Sequence, residues 1–244
     1  MDVTLVYKWG YDADEAYIAS DGSFKWKKGK LVASDDDAAA IASAREIAGA
    51  TGGTLTGATI GDGDAGWAIA RGAACVYCDE SCAIVPDDLA VANMLKAVVQ
   101  AAPAADLVIM ADSADRAGVA PALAETLGLP CVLGVRDVAV DPEDGTSLLA
   151  HRSVEGGMET LRFTAPALVS VSALTSEKTV PSMKEMLAAK KAPRTKVEAA
   201  AGGVSAVTER SISKADLKMA RIFEGSPDEA AQQLVAALRA DGVL

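Results

Sequence analysis

Aromatic residues are scarce in this sequence: three Phe, three Trp and four Tyr make up 4% of its 244 residues. The apolar half of the chain is therefore carried mostly by alanine, valine and leucine. That composition belongs to close-packed helices and strands and excludes a disordered chain. Histidine is almost absent, with His151 alone, which argues against a multi-histidine metal site or a crowded acid–base centre. Four cysteines are too sparse for a disulfide scaffold. Basic charge is also in deficit: 23 Lys and Arg stand against 34 Asp and Glu, a formal charge of −11. Nucleic acid and anionic membranes need a positive footprint, so neither is expected as the main partner. Apolar runs such as Leu107–Ala111 and residues 132–135 fall far short of the roughly 20 residues that a membrane helix requires. The opening stretch lacks a basic segment followed by a long apolar one, so a signal peptide is not expected. The chain reads as soluble and cytoplasmic, without membrane insertion.

What is present is a regular alternation. The length leaves room for one large domain or two small ones. Val3–Tyr7 is an apolar run with β-branched members, a buried strand. Asp21-Gly22 marks a turn, and the polar stretch at 23–31 is expected as a hairpin. Asp35, Asp36 and Asp37 open an alanine-rich helix to residue 50, where carboxylates suit the positive helix end. A strand at 54–60, a short helix at 64–71 and a strand at 75–78 follow. Pro86-Asp87-Asp88 starts a helix with Leu89, Met94, Leu95, Val98 and Val99 at helical spacing. Residues 106–110 form a strand, and 118–127 a helix closed by Gly128 and Pro130. This rhythm predicts an α/β fold, a Rossmann-like parallel sheet with helices on both faces.

After Pro130 the helix signals vanish. Residues 131–141, 147–154, 158–164 and Ala167–Val171 read as strands forming an antiparallel extension of the sheet. From residue 175 the chain becomes loop-like and then basic, with Lys178, Lys184, Lys190, Lys191, Arg194 and Lys196 against Glu185. Gly202-Gly203 reads as a linker, and Pro227-Asp228-Glu229 caps a final amphipathic helix. The expected organisation is an α/β domain over 1–175 and a C-terminal arm over 176–244.

Three local patterns bear on chemistry. Gly61-Asp62-Gly63-Asp64-Ala65-Gly66 is a literal G-x-G-x-x-G between a strand and a helix, the form of a dinucleotide loop, with Asp79 where a ribose acid belongs. Its aspartates place negative charge where a pyrophosphate approaches, and the plain alternative is a capped surface turn. Cys75, Cys78 and Cys82 have a metal-like spacing. Cys75 and Cys78 lie in one strand, however, where residues three apart point to opposite faces, so core cysteines are the better reading. The turn at 111–121 is small and polar and leads into a helix at the carboxyl end of a central strand, where ligands sit in open α/β sheets. Helix amides with Arg116 and Ser113 could hold a phosphate there; a tight turn with an Asp cap fits equally. His151 has no Ser/Asp constellation beside it, so a hydrolytic triad finds no support.

The most specific segment is Ala150-His151-Arg152-Ser153-Val154-Glu155-Gly156-Gly157-Met158-Glu159-Thr160-Leu161, followed after four residues by Pro166-Ala167-Leu168-Val169-Ser170. A basic residue, an acid-Gly-Gly turn, a Glu two residues on and a Pro before an apolar strand resemble the signature of electron transfer flavoprotein beta subunits. The likeness extends to Val6-Tyr7-Lys8, Asp21-Gly22-Ser23, the Ser34-Asp35-Asp36-Asp37 run, Arg71-Gly72-Ala73, residues 123–130, and Pro181-Ser182-Met183-Lys184. Ile222-Phe223-Glu224-Gly225 and the last helix look most like the Fix-type, anaerobic branch.

The resemblance implies a heterodimer in which an alpha subunit holds most of the FAD. The beta subunit would bind AMP, or a second FAD, and have no chemical step of its own. An acyl-CoA dehydrogenase-type donor would supply the electrons. The positions matching the family's nucleotide pocket are Val6, Ser34, Asp35, Asp36, Asp37, Ile60, Ala111, Asp112, Ser113, Asp115, Arg116, Ala117, Gly118 and Val119. The family's loop at 111–119 is usually longer and richer in amide and hydroxyl side chains, so phosphate binding here would lean on backbone amides and Arg116. The loop at 176–184 matches the family's recognition loop, with Met183 in the place of its inserted apolar residue and Lys184 behind it. Two other readings stand beside this one: an NAD-dependent oxidoreductase using the Gly61–Gly66 loop, and a stand-alone nucleotide-binding module.

Overall fold

The computed structural model describes residues 1–61, 63–81, 87–113, 116–173, 180–199 and 221–244. Asp62, Cys82, Pro86, Asp115, Lys178, the start of the loop at 176–179 and the Gly202-Gly203 linker lie outside them. In chain order the elements begin with β1 (Val3–Tyr7), β2 (Gly10–Tyr11), β3 (Ala16–Ile18), β4 (Phe24–Trp26), β5 (Leu31–Val32), α1 (Asp35–Thr51), β6 (Leu55–Ile60) and α2 (Gly66–Ile69). Then come β7 (Cys75–Asp79), α3 (Asp88–Ala101), β8 (Leu107–Ala111), α4 (Val119–Leu127), β9 (Cys131–Val135) and β10 (Asp137–Val140). The series ends with β11 (Leu148–Val154), β12 (Gly157–Phe163), β13 (Ala167–Val171), α5 (Met183–Ala189), β14 (Arg194–Lys196) and α6 (Pro227–Ala240). None of these helices is long and apolar enough to cross a membrane.

Seven strands form the main sheet in the order β14-β7-β6-β1-β8-β13-β9, and every pairing in it is parallel. β1, β8 and β13 bury every residue, as strands covered on both faces must. The two faces make separate cores. On one, Leu5, Tyr7, Ile109 and Val169 pack against Ala40, Ile41, Ala44, Ile47 and Ala48, the apolar stripe of α1. On the other, Val6, Val108, Met110 and Leu168 pack against Val91, Met94, Leu95 and Val98 of α3 and Leu123 of α4. The α/β sheet with helices on both faces is thus the fold that the sequence predicts.

Three details differ from the sequence reading. The hairpin sits around Asp21-Gly22 rather than after it: β3 pairs with β4, and the Ala19 and Gly22 amides close the turn. Gly22 takes a φ of 81°, which is why the turn centres there. Residues 131–141 are two strands, because the chain leaves the sheet at Arg136; β9 stays parallel beside β13, and β10 turns away. The antiparallel stretch is consequently its own sheet, β10-β11-β12, instead of an extension. Val138, Leu148 and Ala150 of that sheet join the core under α1.

The chain divides into two compact units, Met1–Arg210 and Ser211–Leu244. The first includes α5 and β14, and β14 pairs parallel with β7 at the sheet edge. In the second, α6 starts at a capping box in which Ser226 and Glu229 satisfy each other's amides, with Pro227 at its first position.

Leu95 is fully buried between α3 and the sheet. Leu95→Ala should therefore lower unfolding free energy by about 2–5 kcal/mol in urea titration. Leu187→Ala, on an exposed side of α5, should stay within about 0.5 kcal/mol.

Candidate functional site

From β1 the chain builds outward through α1 to β6 and β7, then crosses to β8 on the other side of β1. The strand order reverses there, and the crevice outside the carboxyl ends of β1 and β8 is where an open α/β sheet places a ligand. Several sequence-predicted residues gather at this edge: Val6, Ile60 and Ala111 near strand ends, the Ser34–Asp37 run at the start of α1, and Gly118-Val119 at the start of α4. Asp115 lies outside the described residues.

The side chains of Val6, Ile60 and Val119 are buried in the core on the α3 and α4 side, and Ala111 is buried at the end of β8, so they offer a ligand backbone alone. The α1 start is held from within. Ser34 Oγ accepts from the Asp37 amide at 3.1 Å, and Asp37 Oδ2 accepts from the Ser34 amide at 2.9 Å and its hydroxyl at 2.7 Å. Asp37 is only 1% exposed, and burial pushes its carboxyl up to about 6 despite the opposing hydrogen bonds from Ser34. Its other oxygen faces the Lys8 amide after β1 at 3.4 Å. Asp36 accepts from the Ala173 amide after β13 at 2.7 Å.

The same habit recurs along the edge. Asp112 Oδ1 accepts from the Ser170 hydroxyl of β13 at 3.2 Å, and that hydroxyl oxygen accepts from the Gly134 amide at 2.9 Å. Asp79 accepts from the Ser81 amide and hydroxyl at 2.9 and 2.6 Å and from the Ala199 amide at 2.6 Å. At α4, Asp88 Oδ2 accepts from the Gly118 amide at 3.0 Å, and its Oδ1 lies 3.4 Å from Arg116 Nη1. The Arg116 side chain is only 13% exposed. Arg116, read from sequence as a phosphate ligand, is thus engaged by a carboxylate that sequence reasoning had placed only at a helix start. Asp87 caps α3 at the Ala90 amide, 2.8 Å away, which frees Asp88 to reach across to α4.

The Gly61–Gly66 loop has a different structure from a dinucleotide loop. The helix it enters, α2, has four residues. Asp64 Oδ1 already accepts from the Gly66 amide at 3.0 Å, and Arg194 Nη2 stands 3.6 Å from that oxygen. Gly63 lies against the Trp9 indole; a side chain there would come within 2.1 Å of the ring. Trp9 in turn meets Tyr7 edge-on, with centroids 5.4 Å apart. Burial raises the Tyr7 phenol well above its ordinary range, and its hydroxyl donates to the Ala65 carbonyl at 3.0 Å. The described residues of the loop match the capped turn of the plainer reading, except that Gly61, Ala65 and Gly66 are buried rather than on the surface.

Cys78 is buried in the α1-side core and Cys75 is half-buried, both as free thiols, on opposite faces of β7. Cys82 lies outside the described residues. No cluster of three or more His, Cys, Asp or Glu suited to a metal ion occurs among the described residues.

The signature segment forms the β11–β12 hairpin, with Gly156 in the turn at a φ of 84°. Arg152 and Glu159 stand directly opposite each other and form an ion pair across the strands. His151 Nδ1 lies 2.6 Å from Asp137 Oδ1 on the neighbouring strand. Met183 begins α5, behind a capping box between Ser182 and Glu185, and is 68% exposed. Lys184 beside it is also exposed, as are Val180 and Leu187.

Residues 23–202 match the family of the electron transfer flavoprotein domain. Over 266 aligned residues, 99% of this chain and 98% of the relative, the chain is 26% identical to the electron transfer flavoprotein subunit beta of Bacillus subtilis (strain 168). It is 37% identical to the subunit beta of Mycobacterium leprae (strain TN) over 103 residues, 42% of this chain and 37% of that one. Against the subunit beta of Mycobacterium tuberculosis (strain ATCC 25618 / H37Rv) the identity is 39% over 75 residues, 30% of this chain and 27% of the relative.

The Asp37 carboxyl tests the α1 cap. Its folded value of about 6 exceeds the roughly 4 of an unfolded aspartate, so the folded chain binds the extra proton between those values. The stabilisation from this proton is full below about pH 4 and is lost as pH rises through about 6. The difference in unfolding free energy between the natural chain and Asp37→Asn should therefore drift by about 3 kcal/mol over that window, against the natural chain as pH rises. Urea titrations at stepped pH check this, and a flat difference would remove the buried-acid account.

Proposed function

The chain belongs to the electron transfer flavoprotein family, and from that premise we propose that it is a beta subunit working in a heterodimer. Its task is to seat an alpha subunit that holds most of the FAD and to present that assembly to a dehydrogenase of the acyl-CoA type. The observation that carries this reading is the match to a curated beta subunit over nearly the full length of both chains. When bound, the flavin supplies the electron-carrying chemistry. This chain contributes surface, orientation and partner choice, and performs no bond-making step of its own. On this reading it works in the cytoplasm and belongs to the Fix-type branch, whose C-terminal pattern Ile222-Phe223-Glu224-Gly225 resembles.

Two surfaces serve the task. The crevice at the carboxyl ends of β1 and β8 receives an adenine nucleotide, AMP or the adenosine end of a second FAD. The fit is good for the nucleoside end and poor for a phosphate at α4, because Arg116 and the Gly118 amide already bind Asp88. The second surface is the exposed start of α5. Methionine is unbranched and polarizable, so Met183 suits an irregular apolar pocket on a partner. Lys184, Lys190 and Lys191 on and after α5 steer an acidic partner surface on approach.

Mass spectrometry of the small molecules released on denaturing the purified protein tests the first surface: AMP or FAD fits this reading, and NAD fits a nicotinamide enzyme instead. Co-purification with a flavin-bearing chain tests the heterodimer, and a chain that purifies alone and flavin-free would overturn it. Met183→Ala should leave that co-purification intact while slowing flavin reduction by the dehydrogenase about tenfold. Unchanged reduction kinetics would remove Met183 from the docking role.

A further inference from the structure

We propose that Arg45 and Arg71 form a docking pocket for an Asp or Glu side chain of the electron-donating protein partner, set beside the apolar face of α5. The inference rests on the reading of α5 as the docking helix and adds what that helix lacks, a charged contact that fixes how the partner sits. Met183, Met186 and Leu187 recur at three- and four-residue spacing on α5 and are all exposed. Such a face offers apolar contact, which is non-directional. The pocket beside it is lined by Ala38, Ile41, Ala42 and Arg45 of α1 and by Arg71, just past α2. α2 packs against α5. The Glu185 carboxyl in the first turn of α5 is lowered by its hydrogen bonds from Ser182 and also by the Arg45 charge, which places Arg45 close to that helix start.

Arg71 is held in place but not neutralised. Its guanidinium lies over the Trp67 ring, 4.4 Å from the centroid, and Nη1 donates to the Trp67 carbonyl at 3.1 Å. Its Nε is buried without a hydrogen-bond partner, and burial pulls its pKa down. Neither Arg71 nor Arg45 forms an ion pair among the described residues. Arg116, Arg152, Arg162 and Arg194 all do. A guanidinium that has lost water without gaining an anion is left short of stabilisation, and its planar fork matches a carboxylate. Gly72 brings the second arginine alongside: a side-chain carbon there would sit 3.1 Å from Arg45 Cδ, so only glycine lets Arg45 lie across this turn. The gap is small, about 10 Å³, roughly the room of one water molecule. It suits one carboxylate oxygen and not a phosphate group or a nucleotide. With the α5 face next to it, the complementary surface is an acidic side chain at the rim of an apolar pocket.

The test uses the purified flavin-bearing heterodimer as acceptor and, as probes, the acyl-CoA dehydrogenases of the same organism, each reduced by its own substrate. Flavin reduction is followed at about 50 and about 300 mM NaCl, since screening weakens a charged contact. The forms compared are the natural protein, Arg45→Gln, Arg71→Gln, Met183→Ala, and Lys96→Gln on α3 as a control. Flavin content and thermal unfolding establish that each is folded; Arg45 is exposed, so its variant keeps the test alive should Arg71→Gln fail to fold. Arg45→Gln and Arg71→Gln should each raise KM for the heterodimer about fivefold at low salt, keep kcat within about twofold and flatten the salt dependence. Lys96→Gln should match the natural protein. Unchanged KM and salt dependence in the folded arginine variants, with Met183→Ala slowed, would overturn the pocket alone, as would a fall in kcat at constant KM. No reduction by any of the dehydrogenases, or a natural rate in Met183→Ala, would instead sink the docking reading of α5, and this inference with it.

Discussion

The carboxyl edge of a parallel sheet collects unpaired backbone amides from strand ends and helix starts, and these must be satisfied if the edge is to hold its shape. This chain satisfies them with its own aspartates. Asp37 and Asp36 tie α1 to the residues after β1 and β13, Asp79 ties β7 to the segment after β14, and Asp88 ties α3 to α4. Each bond joins elements far apart in sequence. The two apolar cores hold the helices over the sheet, and these directional bonds add position where the cores, being non-directional, fix only distance.

That constraint explains the character of the crevice. A nucleotide site in an α/β fold ordinarily offers donors to a phosphate. Here the donors are committed to carboxylates before any ligand arrives, and the apolar residues near the strand ends are committed to the cores. The buried Asp37, with a carboxyl near 6, shows what this arrangement costs: a charge is held in low dielectric for the sake of a cap.

The charge distribution follows the same division. Four aspartates, Asp37, Asp79, Asp87 and Asp141, are buried among the described residues, whereas the basic residues from Lys184 to Lys196 collect on α5, β14 and the turn between them. Arg194 and Lys196 are anchored to Asp64 and Glu80. Exposed Met183 and Lys184 stand at the start of α5, in a helix whose first turn is held by its own capping box. A capped helix start with an apolar tip is pre-organised, so little ordering is left to be done when it meets another surface.

The sequence by itself determined the alternation of strands and helices, because apolar periodicity and capping residues are local properties that each element carries alone. It also determined the family, since the acid-Gly-Gly hairpin between a basic residue and Glu159 is a spacing rule readable along one strand pair. It could not reveal that residues 131–141 divide between two sheets, because both halves are equally apolar and only the space left beside β13 and α1 decides where each packs. Nor could it separate the two readings of the Gly61–Gly66 loop, which the Trp9 ring and the brevity of α2 resolve in three dimensions. Arg116 is the clearest case. In sequence it is a cation at a helix start, open to phosphate; in the tertiary structure Asp88, 28 positions earlier, is already there. Periodicity reports which face a residue occupies, whereas the partner of a charge depends on how two helices cross, and that is set only when the whole sheet has assembled.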